Sequence, residues 1–281
     1  MNVPPRIACV VAILLHAAPA SGQNHYDLVF NNPVQQANLD HSLLGDYYPG
    51  TTFDFLNVVP GSGQNVDMRL TVTNVTSPRY GYEGAVPDYS GTLGTPGGDL
   101  GLLYSYQGGS GPSGDFGPGS VTYNLEFFLG GSNFSDPFAI PDFRIMIYEV
   151  DGEVTQDEAV AVFADDGLVS YQLPDSTQVS VTDQGDGYFL FDAPGSNYPF
   201  TDPRTAFLLR YQNTSSISLQ VIANTNQFSQ QNNGVFIAID GDLSTIDTGP
   251  LSAPVYVVPE PSAAGLLMLG AAGMLSRRRR S

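Results

Sequence analysis

The stretch Val121-Thr122-Tyr123-Asn124-Leu125-Glu126-Phe127-Phe128-Leu129 decides the fold class. Val121, Tyr123, Leu125, Phe127 and Leu129 alternate with Thr122, Asn124 and Glu126, a period of two that turns one face of an extended strand to a core and the other to water. The same alternation occurs upstream, where Val66, Met68, Leu70 and Val72 interleave with Asp67, Arg69, Thr71 and Thr73. Working outward, further strands are expected at Asp27–Phe30, Phe53–Val59, Leu102–Tyr106, Phe143–Val150, Val160–Phe163, Val169–Leu173, Val179–Thr182, Tyr188–Phe191, Ala206–Tyr211, Ile217–Ile222 and Val235–Ile239. No window of the body has a 3.6-residue apolar period. About a dozen strands separated by Gly, Pro, Asn and Asp predict an all-β, antiparallel β-sandwich, jelly-roll-like in topology.

Composition agrees. The 31 glycines and 21 prolines supply turns, while an 11% aromatic content argues for a packed core rather than disorder. The least regular region, about 80–118, contains Gly94-Thr95-Pro96-Gly97-Gly98 and Gly108-Gly109-Ser110-Gly111-Pro112 and reads as a long loop within one β domain.

Both ends of the chain read as export signals. Arg6 followed by apolar Ile7–Leu15 and the small residues Ala18-Pro19-Ala20 or Ala20-Ser21-Gly22 has the three-part form of a secretory signal peptide over residues 1–22. Cys9 lies inside the apolar run and is lost with it. At the other end stand Pro259-Glu260-Pro261, an uncharged apolar run from Ser262 to Ser276, and Arg277-Arg278-Arg279-Arg280. Such a tail enters a bilayer and stops, because its apolar run prefers hydrocarbon and four guanidinium groups stay on the cytoplasmic side. Its run is shorter than the roughly 20 residues of a permanent transmembrane helix, so the expected contact with the inner membrane is transient. The tail, residues 259–281, resembles the PEP-CTERM sorting signal of Gram-negative bacteria. That resemblance implies processing near Pro-Glu-Pro by an exosortase, an integral-membrane cysteine protease, after signal peptidase has acted at the N-terminus. It also implies delivery to the cell surface or the exopolysaccharide matrix. It covers the tail alone.

Between the signals, residues 23–258 form a body of 236 residues with no cysteine, so a secreted fold must be held by its core and any bound metal. This body has 27 acidic residues against five arginines, Arg69, Arg79, Arg144, Arg204 and Arg210, a formal charge of −22. Such a field repels nucleic acid and anionic lipid and attracts divalent cations.

Candidate chemistry is sparse. Glu149, Asp151, Glu153, Asp157 and Glu158 crowd the end of one expected strand. Carboxylates so close could suit Ca2+, which takes six to eight oxygens, but the spacing is not that of an EF-hand and an ordinary solvated acidic turn is the favoured reading. Asp240-Gly241-Asp242 with Asp247 is a weaker candidate, and Asp165-Asp166-Gly167 reads as a turn. His25 and His41 stand outside any hydrolase or zinc motif, so no catalytic residue and no certain cofactor is assigned. Tyr80, Tyr82, Tyr89, Tyr104 and Tyr106 are candidate stacking platforms for sugar rings. The expected function is that of a non-enzymatic surface or matrix protein, structural or adhesive and associated with exopolysaccharide. The alternative is a secreted polysaccharide-binding module or a carboxylate-dependent glycan-active enzyme.

Overall fold

In the computed structural model, the described residues are 25–30, 34–37, 49–60, 63–76, 100–105, 119–153, 156–185, 187–193, 198–199, 202–225, 234–244 and 248–257. The signal-peptide segment, the sorting tail, His41, Asp247, Tyr80, Tyr82, Tyr89 and Tyr106 lie outside them. So do the side chains of Tyr104, Glu153 and Asp157. The described elements are the strands β1 (Val34–Ala37), β2 (Thr52–Phe55), β3 (Val66–Thr76), β4 (Leu100–Ser105), β5 (Gly119–Leu129), β6 (Ile140–Tyr148), β7 (Gly152–Glu153), β8 (Gln156–Phe163), β9 (Leu168–Gln172), β10 (Ser180–Asp183), β11 (Tyr188–Asp192), β12 (Phe207–Thr214), β13 (Ser216–Thr225), β14 (Gly234–Asp240) and β15 (Val255–Tyr256). Two 3-10 turns, Ala164–Asp166 and Pro203–Thr205, are the helical elements among the described residues. None of those residues forms a helix long and apolar enough to cross a membrane.

The strands form two antiparallel sheets. One has nine strands, in the order β1-β2-β3-β5-β13-β8-β11-β10 with β7 paired to β8; the other has six, β15-β9-β12-β6-β14-β4. From β5 onward the chain crosses repeatedly between the sheets. β13 inserts between β5 and β8, and β12 between β6 and β9. Strand β15 takes the edge beside β9, with Val255 opposite Tyr171 and Tyr256 opposite Ser170.

The period-two reading holds where only one face is covered. In β5, Val121, Tyr123, Leu125 and Phe127 are fully buried while Thr122, Asn124 and Glu126 are half-buried. The inward faces of both sheets share one core, joined by aromatic contacts. Phe127 of β5 meets Phe143 of β6 edge-on at 5.4 Å, Phe143 stacks on Tyr211 of β12 at 5.3 Å, and Phe191 of β11 stacks on Phe207 of β12 at 3.9 Å. These ring pairs fix how the sheets sit on each other.

Several boundaries differ from the sequence reading. Asp27–Phe30 forms no ladder strand; Tyr26 and Leu28 make single bridges, to Phe143 and Gly241. The segment's backbone bonds go to three separate places, from Tyr26 N–H to the Asp142 carbonyl, from Leu28 N–H to that of Gly241 and from Val29 N–H to that of Val58, so no continuous ladder forms. The strand expected over Phe53–Val59 ends at Phe55, because Asn57 takes a positive φ of 53° and its N–H is held at 2.9 Å by Oδ1 of the buried Asp67. Strands β1, β7 and β15 are short and lie at or near sheet edges, with too few residues to show a period.

Candidate functional site

A cleft of about 300 Å3 opens on the outer face of the nine-stranded sheet, lined by Thr122, Phe163, Asp165, Asp166, Gly187 and Ser218. Thr122 and Ser218 reach it because they occupy the non-core positions of β5 and β13, between fully buried neighbours. Phe163 ends β8, and its ring lies 5.6 Å from that of its cross-strand partner Tyr188. The Ala164–Asp166 turn then takes the chain out of the sheet. Gly167 closes the turn at φ 85°, where a Cβ would come 2.8 Å from the Gln212 carbonyl oxygen, so only glycine fits. Along β13, the pairing with β8 begins at Leu219 opposite Val162. One residue earlier, the Ser218 N–H donates instead to Asp166 Oδ2 at 2.6 Å. A carboxylate thus continues the ladder where the strand has left it. Burial raises the Asp166 pKa, the Ser218 hydrogen bonds oppose that shift, and the neighbouring Asp165 adds to it.

The cleft therefore offers one aromatic ring, Phe163, which is itself in contact with Tyr188, together with carboxylates and hydroxyls. That combination recognises a ring with an apolar face and hydroxyl edges. The turn at Asp165-Asp166-Gly167 is present as read, but its role in a cleft was missed. Its partners come from β5, β11 and β13, and the only local signal was an acidic pair following a Phe.

The acidic cluster runs from the end of β6 through the β7–β8 hairpin. Glu149 and Asp151, 9% and 7% exposed, follow β6 in a loop. Glu158, also buried, belongs to β8. Glu153 and Asp157 share the β7–β8 hairpin, where Gly152 faces Asp157 and Glu153 faces Gln156. Among the described residues no three His, Cys, Asp or Glu side chains come together as a metal-binding group. Asp202, distant in sequence, faces Glu149. The Glu149 carboxyl is pushed up to about 8, first by burial and then by the charges of Asp151 and Asp202.

Glu149 makes stability pH-dependent. The folded state holds its proton more tightly than the unfolded chain, whose value is near 4.5. The stabilising contribution is complete below that value and is lost as pH rises toward about 8. The unfolding free energy from urea titration should fall across this window, by at most about 1.4 kcal/mol per pH unit, and Glu149→Gln should flatten the slope. A wild-type midpoint independent of pH between 5 and 8 would contradict this.

The outer face of the six-stranded sheet carries a second polar group. Asp142, 7% exposed, accepts from Arg210 Nε at 3.1 Å and Nη2 at 2.6 Å, from Gln212 Nε2 at 2.5 Å, and lies 2.6 Å from His25 Nδ1. Burial alone would raise its pKa, but the hydrogen bonds from Arg210, Gln212 and His25 outweigh that and hold it below the usual carboxylate range. His25 thus serves as a structural partner of Asp142. Asp240 is also buried; its Oδ1 accepts the Asp242 N–H at 2.7 Å, which makes the Asp-Gly-Asp segment a closed turn.

With this geometry in view, comparison with known proteins identifies the tail. Residues 257–280 match the PEP-CTERM protein-sorting motif. The motif implies exosortase processing and export of the chain to the cell surface. No curated protein matches the sequence. Among solved structures, the N-terminal domain of the Streptococcus gordonii adhesin Sgo0707 is similar at 10% identity and a TM-score of 0.44, over 77% of this chain and 56% of that one. Glucan binding protein C of Streptococcus mutans is similar at 12% identity and a TM-score of 0.37, over 68% of this chain and 58% of that one. The adhesin domain of PrgB from Enterococcus faecalis is similar at 15% identity and a TM-score of 0.37, over 76% and 71%. Likenesses this distant carry no argument about function.

Proposed function

We propose that this chain is a non-enzymatic component of the cell surface or extracellular matrix that holds exopolysaccharide through the cleft at Phe163, Asp165, Asp166 and Ser218. The observation that carries this reading is an aromatic ring, Phe163 in contact with Tyr188, beside a carboxylate- and hydroxyl-lined recess of sugar-ring size. A pyranose laid against Phe163 buries its C–H face, and its hydroxyls donate to Asp165 and Asp166. Among the described residues no basic side chain lines the recess, so it suits neutral or amine-bearing sugars over uronates. Binding is favoured over hydrolysis because Asp165 and Asp166 are consecutive on one turn. A glycosidase needs two carboxyl groups on opposite sides of the scissile bond.

Glycan titration of the purified, exported protein tests the reading. Tyr188→Ala and Asp165→Asn should each weaken binding about tenfold, or about 1.4 kcal/mol, without changing the melting midpoint by more than a few degrees. Asp165 is the better acidic target, since Asp166 also caps the β13 ladder. Equal affinity in the variants would remove the cleft from the function, and release of reducing ends would make the protein an enzyme. Exosortase and signal peptidase act on the chain during export, contact with the inner membrane is confined to the tail, and nucleic acid is not a partner of a body so acidic.

A further inference from the structure

The outer face of the nine-stranded sheet continues past the cleft. Four half-buried side chains stand in register across it, Ser218 opposite Asn124, Asn124 opposite Thr71 and Thr71 opposite Thr52, on the adjacent strands β13, β5, β3 and β2. Beside this row Gln220 faces Thr122, and Thr122 and Ser218 also line the cleft. At the cleft end stands Phe163, one residue beyond the point where Val162 pairs with Leu219 of β13. Every side chain of this band is a neutral hydroxyl or amide. The next row on the same face is charged. There Arg69 stands opposite Asp54 and Glu126, donates to Asp54 from Nε at 2.7 Å and from Nη2 at 2.9 Å, and lies 4.5 Å from the Phe134 ring. In so acidic a body a merely solvated face should take its share of carboxylates, as that row does; the band beside the cleft takes none.

We propose that this band extends the cleft and holds successive rings of an uncharged polysaccharide, laid across the strands from Phe163 toward β2. The proposal rests on the reading of the cleft as a glycan site. Ser, Thr, Asn and Gln side chains both donate and accept, which matches sugar hydroxyls in either role, whereas a carboxylate only accepts and a guanidinium only donates. Short side chains also lose less rotamer freedom than Lys, Arg or Glu when a ligand orders them. Ser218 Oγ and Asn124 Oδ1 are 3.4 Å apart, a long bond that a ring hydroxyl can displace. From β13 to β2 is a distance of three strand spacings of about 4.8 Å, roughly 14 Å, which gives room for about three rings beyond the one at Phe163. A uronate chain would bring its carboxylates toward Asp165, Asp166 and Glu126, and a chain of amines would find a carboxylate at the cleft and none along the band. Charge therefore favours a neutral occupant.

The test is the dependence of affinity on chain length. The purified exported protein is titrated calorimetrically with β-1,4-linked glucose and N-acetylglucosamine oligomers, and with oligogalacturonates, of about two to six rings. For the neutral oligomers Kd should fall at least tenfold between two rings and about five, then level off as the chain passes β2. Asn124→Ala and Thr71→Ala should each shrink that gain by about threefold or more, the loss of a hydrogen bond or two, while Tyr188→Ala should weaken every length alike. Binding that does not strengthen with length overturns the extension and leaves the cleft standing, whereas failure of every oligomer to bind overturns both. A gain with length that both variants keep in full overturns the extension, because the chain then runs elsewhere, and tighter binding of oligogalacturonate overturns the neutral occupant.

Discussion

Removal of residues 259–281 should abolish sorting to the cell surface while leaving the β-sandwich folded. The last described residue, Val257, is 9% exposed, and its N–H donates to the Val169 carbonyl at 2.9 Å. A truncation after Val258 keeps this bond and the β15 pairing, so any loss of delivery belongs to the tail and not to misfolding. What is lost is a run of apolar residues that partitions into hydrocarbon and four arginines that resist crossing it, at roughly 2.5–3.5 kcal/mol each on insertion scales. Fractionation and immunoblotting should show at least a tenfold drop in the surface pool, with protein accumulating upstream or in the medium. In the intact chain, mass spectrometry of the surface form should find no peptide beyond about Pro261. Undiminished surface protein after truncation, or recovery of Arg277–Arg280 from the surface form, would defeat the sorting role.

Phe143→Ala should cost about 3–5 kcal/mol, a large share of the roughly 5–15 kcal/mol by which domains are stable. Phe143 is fully buried and lies between Phe127 of one sheet and Tyr211 of its own. Its removal leaves a cavity at the join between the sheets that no neighbour can fill without breaking a ladder. With no disulfide in the body, no covalent link compensates. The expected readout is a melting midpoint lower by about 6–20 °C. Leu56→Ala, at a residue 54% exposed, serves as the control and should change stability by less than about 0.5 kcal/mol. A loss below about 1 kcal/mol in Phe143→Ala would mean that the two sheets are not held through this contact.

How much of this could be read beforehand varied with the physics of each element. β3 and β5 were plain, because each packs one face on the core and leaves the other open, so their burial repeats the alternation of their residues. β6 was less so. Met146 and Tyr148 project from its outer side, yet they are buried in a second small cluster with Ala206, Leu208 and Ala238, against which Leu243 and Leu251 pack. A strand covered on both faces loses its period, and what covers it lies about a hundred residues downstream.

The sorting tail was legible as a string because the PEP-CTERM motif is a short linear pattern, which needs no tertiary contact to be read. The −22 charge of the body is likewise a sum over residues. Sheet order and the polar groupings arise differently. Glu149 and Asp151 lie two residues apart in sequence, but Asp202, whose charge also acts on Glu149, arrives already bound by Arg204 with the turn before β12. Phe163 and Asp166 become a cleft wall only when Thr122, Tyr188 and Ser218 are brought alongside by strands from three other parts of the chain. Local pattern determines which residues extend and which face turns inward. Closure of the two sheets on each other determines which polar groups meet, because hydrogen-bond register and ring packing between distant strands have no counterpart in local spacing.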